Sequence, residues 1–265
     1  MKSFCALVVN DLVKVLNTKE LLFLFIASFG VMMLPAAASL DMELLTRLSK
    51  TSSESNFVTA FGFGQYGFLS CFGVIFSNLI LVLLVQLERD NNMWKTQLIM
   101  PVDTILLVYS KLLAALLVNL LLCVGIFALI CFESLMYWSH VSETPLTYYF
   151  EGIGVIAIFL TKFFVVSTGV LAFHLMVHLL VSNKTILILI SVFMPIVCLF
   201  NFASYIPYGW TMENFWTVLK NKTSSGQWQP LIGKFEILAI SLFLVVILLA
   251  HLTRNSIYRH SKFYR

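Results

Sequence analysis

Four polar side chains interrupt one long apolar run: Lys162, Ser167, His174 and His178. A cation at the centre of a membrane helix costs about 2.5–3.5 kcal/mol on insertion scales, so Lys162 needs a carboxylate partner or a hydrated pathway. Glu133, Glu151 and Glu236 flank neighbouring apolar runs and are its candidate partners. At 100° per residue, Ser167, His174 and His178 fall within about 40° of one another on a helix. A His-x3-His pair can ligate metal or haem, but only with further ligands. No second His or Cys cluster occurs at matching depth, so the stripe is read as packing against another helix or facing a pathway. Asn201 joins this polar set, and Asn78 and Asn119 are placed to bond between helices.

Covalent chemistry finds little support. No Glu-Glu dipeptide accompanies the histidines, which argues against an intramembrane peptidase. Gly233-Lys234-Phe235 lacks the upstream glycine and the Ser or Thr of a phosphate-binding loop. Of the cysteines, Cys71, Cys123, Cys131 and Cys198 lie in apolar runs, Cys5 does not, and no CxxC pair occurs; all are read as small packing residues. No catalytic, cofactor or metal site is predicted in this chain.

The elements that must position these residues follow from composition. Of 265 residues 60% are hydrophobic and 11% charged, with 24 Phe. A soluble domain of this length could not bury so much apolar surface, so lipid is the solvent for most of the chain. Without water, backbone groups must be satisfied by helices or a closed barrel, and runs this long and continuously apolar select helices. The fold class is therefore an all-α integral membrane protein of a single domain, 1–265. Six spans are predicted at 21–40, 65–87, 103–132, 153–181, 185–205 and 235–252. The first residues are not read as a signal peptide, because Lys2, Asp11, Lys14 and Lys19 break any apolar core. Residues 1–19 instead read as an amphipathic helix on the membrane surface: Ser3, Asn10, Lys14 and Asn17 share one face, with Phe4, Leu7, Val8 and Leu12 mainly elsewhere. Pro35 and Pro195 each remove a helical hydrogen bond from a span.

Lys and Arg are concentrated in the N-terminal segment, the stretch after span two, the turn at Lys184 and the tail from Arg254, which places both termini in the cytoplasm. The segment 206–234, with Trp210, Trp216 and Trp228, is predicted to lie outside as an interfacial or re-entrant segment.

The most unusual polar stretch is LERDNNMWKTQLIMPVDTILLVYSKLL, Leu87 to Leu113. Glu88, Arg89 and Asp90 close span two. Met93, Trp94, Leu98 and Ile99 share a side of a short helix, with Lys95 beside them. Pro101 ends that helix and Asp103 caps the next. From Asp103 to Phe132 is about 45 Å of helix, so span three should protrude, and Lys111 can snorkel to the surface. The stretch is either a docking surface or a plain connecting loop.

The order Glu88, Trp94-Lys95, Met100-Pro101-Val102, Lys111-Leu112-Leu113 resembles the cytoplasmic loop of ABC type-2 exporter permeases, and the layout of surface helix and six spans is similar throughout. The resemblance implies a half-size permease subunit. A second permease, the same or a homologous chain, would complete the pathway, and separate ABC ATPase subunits carrying ATP and Mg would dock on segment 88–102. It implies coupling roles for Glu88, Arg89, Met93, Trp94, Lys95, Leu98, Pro101 and Asp103; Lys162, Ser167, His174, His178 and Asn201 are the pathway or intramembrane polar candidates on physical grounds, because lipid makes such groups costly. The expected location is a bacterial cytoplasmic membrane, the expected partners include lipid but no nucleic acid, and the expected cargo is an antimicrobial peptide or other amphiphile. A secondary transporter or channel without an ATPase is the alternative reading.

Overall fold

The computed structural model describes residues 2–20, most of 22–30, 69–90, 104–140, 146–181, 183–198, 206–214, 217 and 233–252. Among these the structure is helical, with no strand. Helix α1 spans Lys2–Asn17, and helical residues continue between 19 and 30. A π-helical turn, Leu69–Gly73, leads into α2, Val74–Asp90. Then come α3, Thr104–His140, α4, Leu146–Leu180, and α5, Lys184–Val197. A 3₁₀ turn, Pro207–Gly209, precedes α6, Lys234–Leu252.

Two of these helices contain stretches long and apolar enough to cross a membrane, Leu106–Phe132 in α3 and Ile156–His178 in α4. Val74–Leu87 and Lys184–Val197 are shorter apolar helices. Helices α3 and α4 both run past the sequence-based limits of 103–132 and 153–181. The extensions, Glu133–His140 and Leu146–Gly152, are more polar, and a helix does not end where its apolar run ends. Helix α5 starts where Asn183 stands as its cap, with extended backbone (φ −79°, ψ 117°) and a side-chain oxygen accepting from the Thr185 and Ile186 amides at 2.9 and 3.4 Å.

The packing centres on α2, α3 and α4. Leu81 and Val85 of α2, Val108, Leu112 and Ala115 of α3, and Leu171 and Leu175 of α4 form one buried cluster. A second gathers Leu69, Cys123, Ile126, Phe159, Phe163 and Tyr208. Gly73 is needed here: a Cβ would lie 2.8 Å from Leu69 and 2.9 Å from Phe163. Helix α6 lies along α4 so closely that a Cβ on Gly169 would meet the Ala239 Cα at 2.6 Å. Small residues allow this approach, and close backbone packing is what holds helices together in lipid.

Polarity is inverted relative to a soluble protein. Lys111, Asn119, Lys162, Ser167 and His174 are buried, while Leu121, Val124 and Phe132 of α3 and Ile237, Leu244 and Leu248 of α6 are exposed. Exposed apolar faces around a polar interior are the arrangement that lipid, not water, stabilises.

Two bonds fix which helix ends lie together. The Tyr109 hydroxyl, at the start of α3, donates to the Ile247 carbonyl near the end of α6 at 3.1 Å. Asp11 of α1 meets Ser110 and Lys111 at the same end. Lys162 and Glu236, the latter in the first turn of α6, belong to the opposite end.

Candidate functional site

Polar side chains bridge the interior at three levels. Near the start of α6, Lys162 Nζ donates to Glu236 Oε1 at 3.1 Å, and each side chain is 2% exposed. The other carboxylate oxygen of Glu236 accepts from the Gly233 amide at 2.9 Å. One acid in the first turn of α6 thus caps that helix and neutralises the cation on α4. Lys162 is central within α4 as a whole but only six residues into its apolar stretch, which brings it level with the start of α6.

At the next level Ser77 Oγ donates to Asn119 Oδ1 at 2.9 Å, and Asn119 Nδ2 donates to Ser167 Oγ at 2.6 Å. Ser77 also approaches the Gly73 carbonyl at 2.7 Å, and Ser167 donates to the Phe164 carbonyl at 2.8 Å. This chain stitches α2 to α3 and α3 to α4, so the polar stripe on α4 is in part a packing stripe.

The third level is at His174. Its Nδ1 lies 2.6 Å from the Tyr208 hydroxyl and its Nε2 3.0 Å from Ser191 Oγ, which itself donates to the Leu187 carbonyl at 2.7 Å. With the Ser191 proton committed to Leu187, the consistent assignment has His174 Nε2–H donating to Ser191 and Nδ1 accepting from Tyr208. Burial pushes the Tyr208 phenol up, the Cys198 thiol adding to this, so it stays a neutral donor. Nearby, the Thr211 hydroxyl donates to the Ser70 carbonyl in the π-helical turn at 2.7 Å. The segment 206–214 is therefore folded into the bundle: Tyr208, Trp210 and Thr211 are all buried, with Trp210 packed on Val166, Phe235 and Ala239. The expectation for 206–234 was an interfacial or re-entrant segment; within it Trp210 packs in an apolar slot offered by α4 and α6.

His178 stands one turn from His174, with ring centroids 6.4 Å apart in an edge-to-face arrangement. Both nitrogens of His174 are engaged, and among the described residues no group of three His, Cys, Asp or Glu comes together as a metal site. Asn201 lies outside the described residues.

At the other end of the bundle the structure corrects one expectation. Lys111 does not snorkel; it is 2% exposed and its Nζ lies 3.7 Å from Asp11 Oδ2. Asp11 also accepts from Ser110 Oγ at 2.8 Å and from Lys14 at 3.1 Å. The polar stripe on α1 therefore does not separate water from lipid cleanly. Asn10 and Asn17 are exposed, but Asp11 turns inward onto α3 while Val9 and Val13 face out. The sequence carried a signal for this, since Asp11 falls between Val8 and Leu12 on the apolar face. Tyr208 and Ser191 had none, as they come to His174 from other elements, 34 and 17 residues away in the chain.

Of the expected coupling residues, Glu88 and Arg89 lie in the last helical turn of α2, which ends at Asp90. Met93, Trp94, Lys95, Leu98, Pro101 and Asp103 lie outside the described residues.

A helical bundle with apolar exterior and bridged polar interior defines the chain as an α-helical membrane protein. The sequence pattern of the ABC-2 family transporter proteins matches residues 7–182, well over half of the chain, and the protein belongs to that family. No curated protein and no solved structure matches it.

Proposed function

We propose that this protein is the transmembrane permease subunit of an ATP-driven exporter. Family membership over residues 7–182 is the observation that carries the reading. Two permease subunits, identical or homologous, form the pathway, and separate ATPase chains supply ATP and Mg chemistry that this chain lacks. Six spans cross the membrane with both termini in the cytoplasm, in a bacterial cytoplasmic membrane. Segment 88–102 joins α2 to α3 at the same end as the Asp11–Lys111 pair, which suits a docking surface for the ATPase. ATP-driven closure beneath it moves the helices as bodies, without covalent chemistry in this subunit. The exposed apolar faces and polar interior suit an antimicrobial peptide or other amphiphile as cargo.

The test is co-purification of an ATPase chain with the tagged permease, followed by ATPase stimulation in proteoliposomes by a panel of peptides, lipids and drugs. Cysteines placed at Ser52, Ser142 and Ser224 should label from outside, and those at Asn91 and Ser261 should not. Active transport by this chain alone, with no ATPase bound, sinks the proposal in favour of a secondary transporter or channel.

A further inference from the structure

The face of α2 that carries Asn78, Val82 and Gln86 is unlike its other faces. Ser77 is turned to Asn119 on α3, and Leu81 and Val85 pack among α3 and α4 side chains. Residues 78, 82 and 86 repeat every four positions; their stripe is centred about 140° from Ser77, with Asn78 at its edge beside Val85. Helix α1 also packs along α2, but on the Ile80 and Leu84 side through Leu12, so α5 is the helix left for Val82 and Gln86. Asn78 is 0% exposed, yet among the described residues neither its amide nitrogen nor its oxygen has a hydrogen-bond partner, and the Gln86 amide nitrogen is likewise buried without one. Along the buried face of α5 run Leu187, Ser191 and Pro195. Pro195 has no N–H, so the Ser191 carbonyl loses its helical donor.

Buried carboxamides without partners are costly, and membrane interiors make them more so. A buried water binds where two to four otherwise unsatisfied polar groups converge. Asn78 offers a donor and an acceptor at one level and Gln86 a donor about 12 Å along the helix, so each carboxamide would hold its own water. None of these groups is ionisable, so the seam suits a neutral molecule that both donates and accepts. We infer that the seam between α2 and α5 is hydrated within a single protomer, with water bound by the Asn78 carboxamide and the Gln86 amide.

Thiol reactivity reads hydration directly, because only the thiolate reacts and it forms poorly in a dry apolar site. Asn78→Cys, Val82→Cys and Gln86→Cys, made in the full chain with the native cysteines replaced and reconstituted in lipid nanodiscs, are treated with methanethiosulfonate ethylammonium. Each should react at least about tenfold faster than Leu81→Cys or Ile80→Cys on the neighbouring dry faces. Equal, slow rates at all positions overturn the inference, as do equal, fast rates, which would mean that α2 is loosely packed on every side. The unsubstituted chain provides a check that needs no variant to fold. Radiolytic oxidation in heavy-oxygen water should label Val82 above Leu81, and absence of label at Val82 overturns the proposal.

Discussion

Lys162 and Glu236 form an ion pair at 3.1 Å across 74 residues of sequence, each side chain 2% exposed, and the same Glu236 caps α6 through Gly233. The pair therefore does two jobs at one contact: it neutralises a buried cation and sets where α6 begins against α4.

Removing one partner leaves the other charge buried, a loss of about 3–5 kcal/mol. Lys162→Leu and Glu236→Gln should each lower thermal stability strongly in detergent. Lys162→Leu combined with Glu236→Leu should lose much less than the sum, since no charge is stranded. Lys162→Arg should be the mildest of the single changes. Additive losses in the double variant would show that the two side chains act independently.

Asp11 holds α1 against α3 through Ser110 and Lys111. Asp11→Ala should leave Lys111 buried without this counter-charge and release α1, exposing Lys14 and Lys19 to trypsin while the rest of the bundle stays protected. Asp11→Glu should retain part of the protection. Unchanged cleavage in Asp11→Ala would place the attachment of α1 in its apolar contacts alone.

Two glycines of α4 make a matched test of close packing. A Cβ at Gly169 would meet the Ala239 backbone at 2.6 Å, whereas nothing lies within 4 Å of one at Gly154. Gly169→Ala should therefore cost about 1–3 kcal/mol through forced separation of α4 and α6. Gly154→Ala should be neutral or stabilise by up to about 1 kcal/mol through helix propensity. Melting curves of the two variants side by side decide this.

Segment 88–102 is tested at its aromatic residue. If it docks on an ATPase, Trp94→Ala with Leu98→Ala should weaken co-purification, a loss of about 2 kcal/mol or more for a buried anchor, while the permease still inserts. Glu88→Ala and Lys95→Ala should act more weakly, because rim charges contribute little. Parent-like binding and transport in the double variant would reduce the segment to a connection.

The class of the molecule was legible in the residues because lipid burial is a matter of composition and run length. The membrane-suited stretches of α3 and α4 fall inside their predicted runs, and the order of residues from Glu88 to Leu113 pointed to the family that the match over 7–182 shows. The helix ends in α3 and α4 were less legible, since propagation carries a helix past its apolar run. Glu236 is one of the three carboxylates that the sequence offers Lys162, but choosing among them needs the register of α6 on α4, set by Gly169 against Ala239. The inward turn of Asp11 was signalled by its place on the apolar face of α1, but its partners, the burial of Lys111 and the joining of Tyr208 to His174 were decided by tertiary structure. A sequence states which groups must find partners in a medium without water; which partner each one finds depends on how neighbouring helices are aligned, and that is settled by packing between residues far apart in the chain.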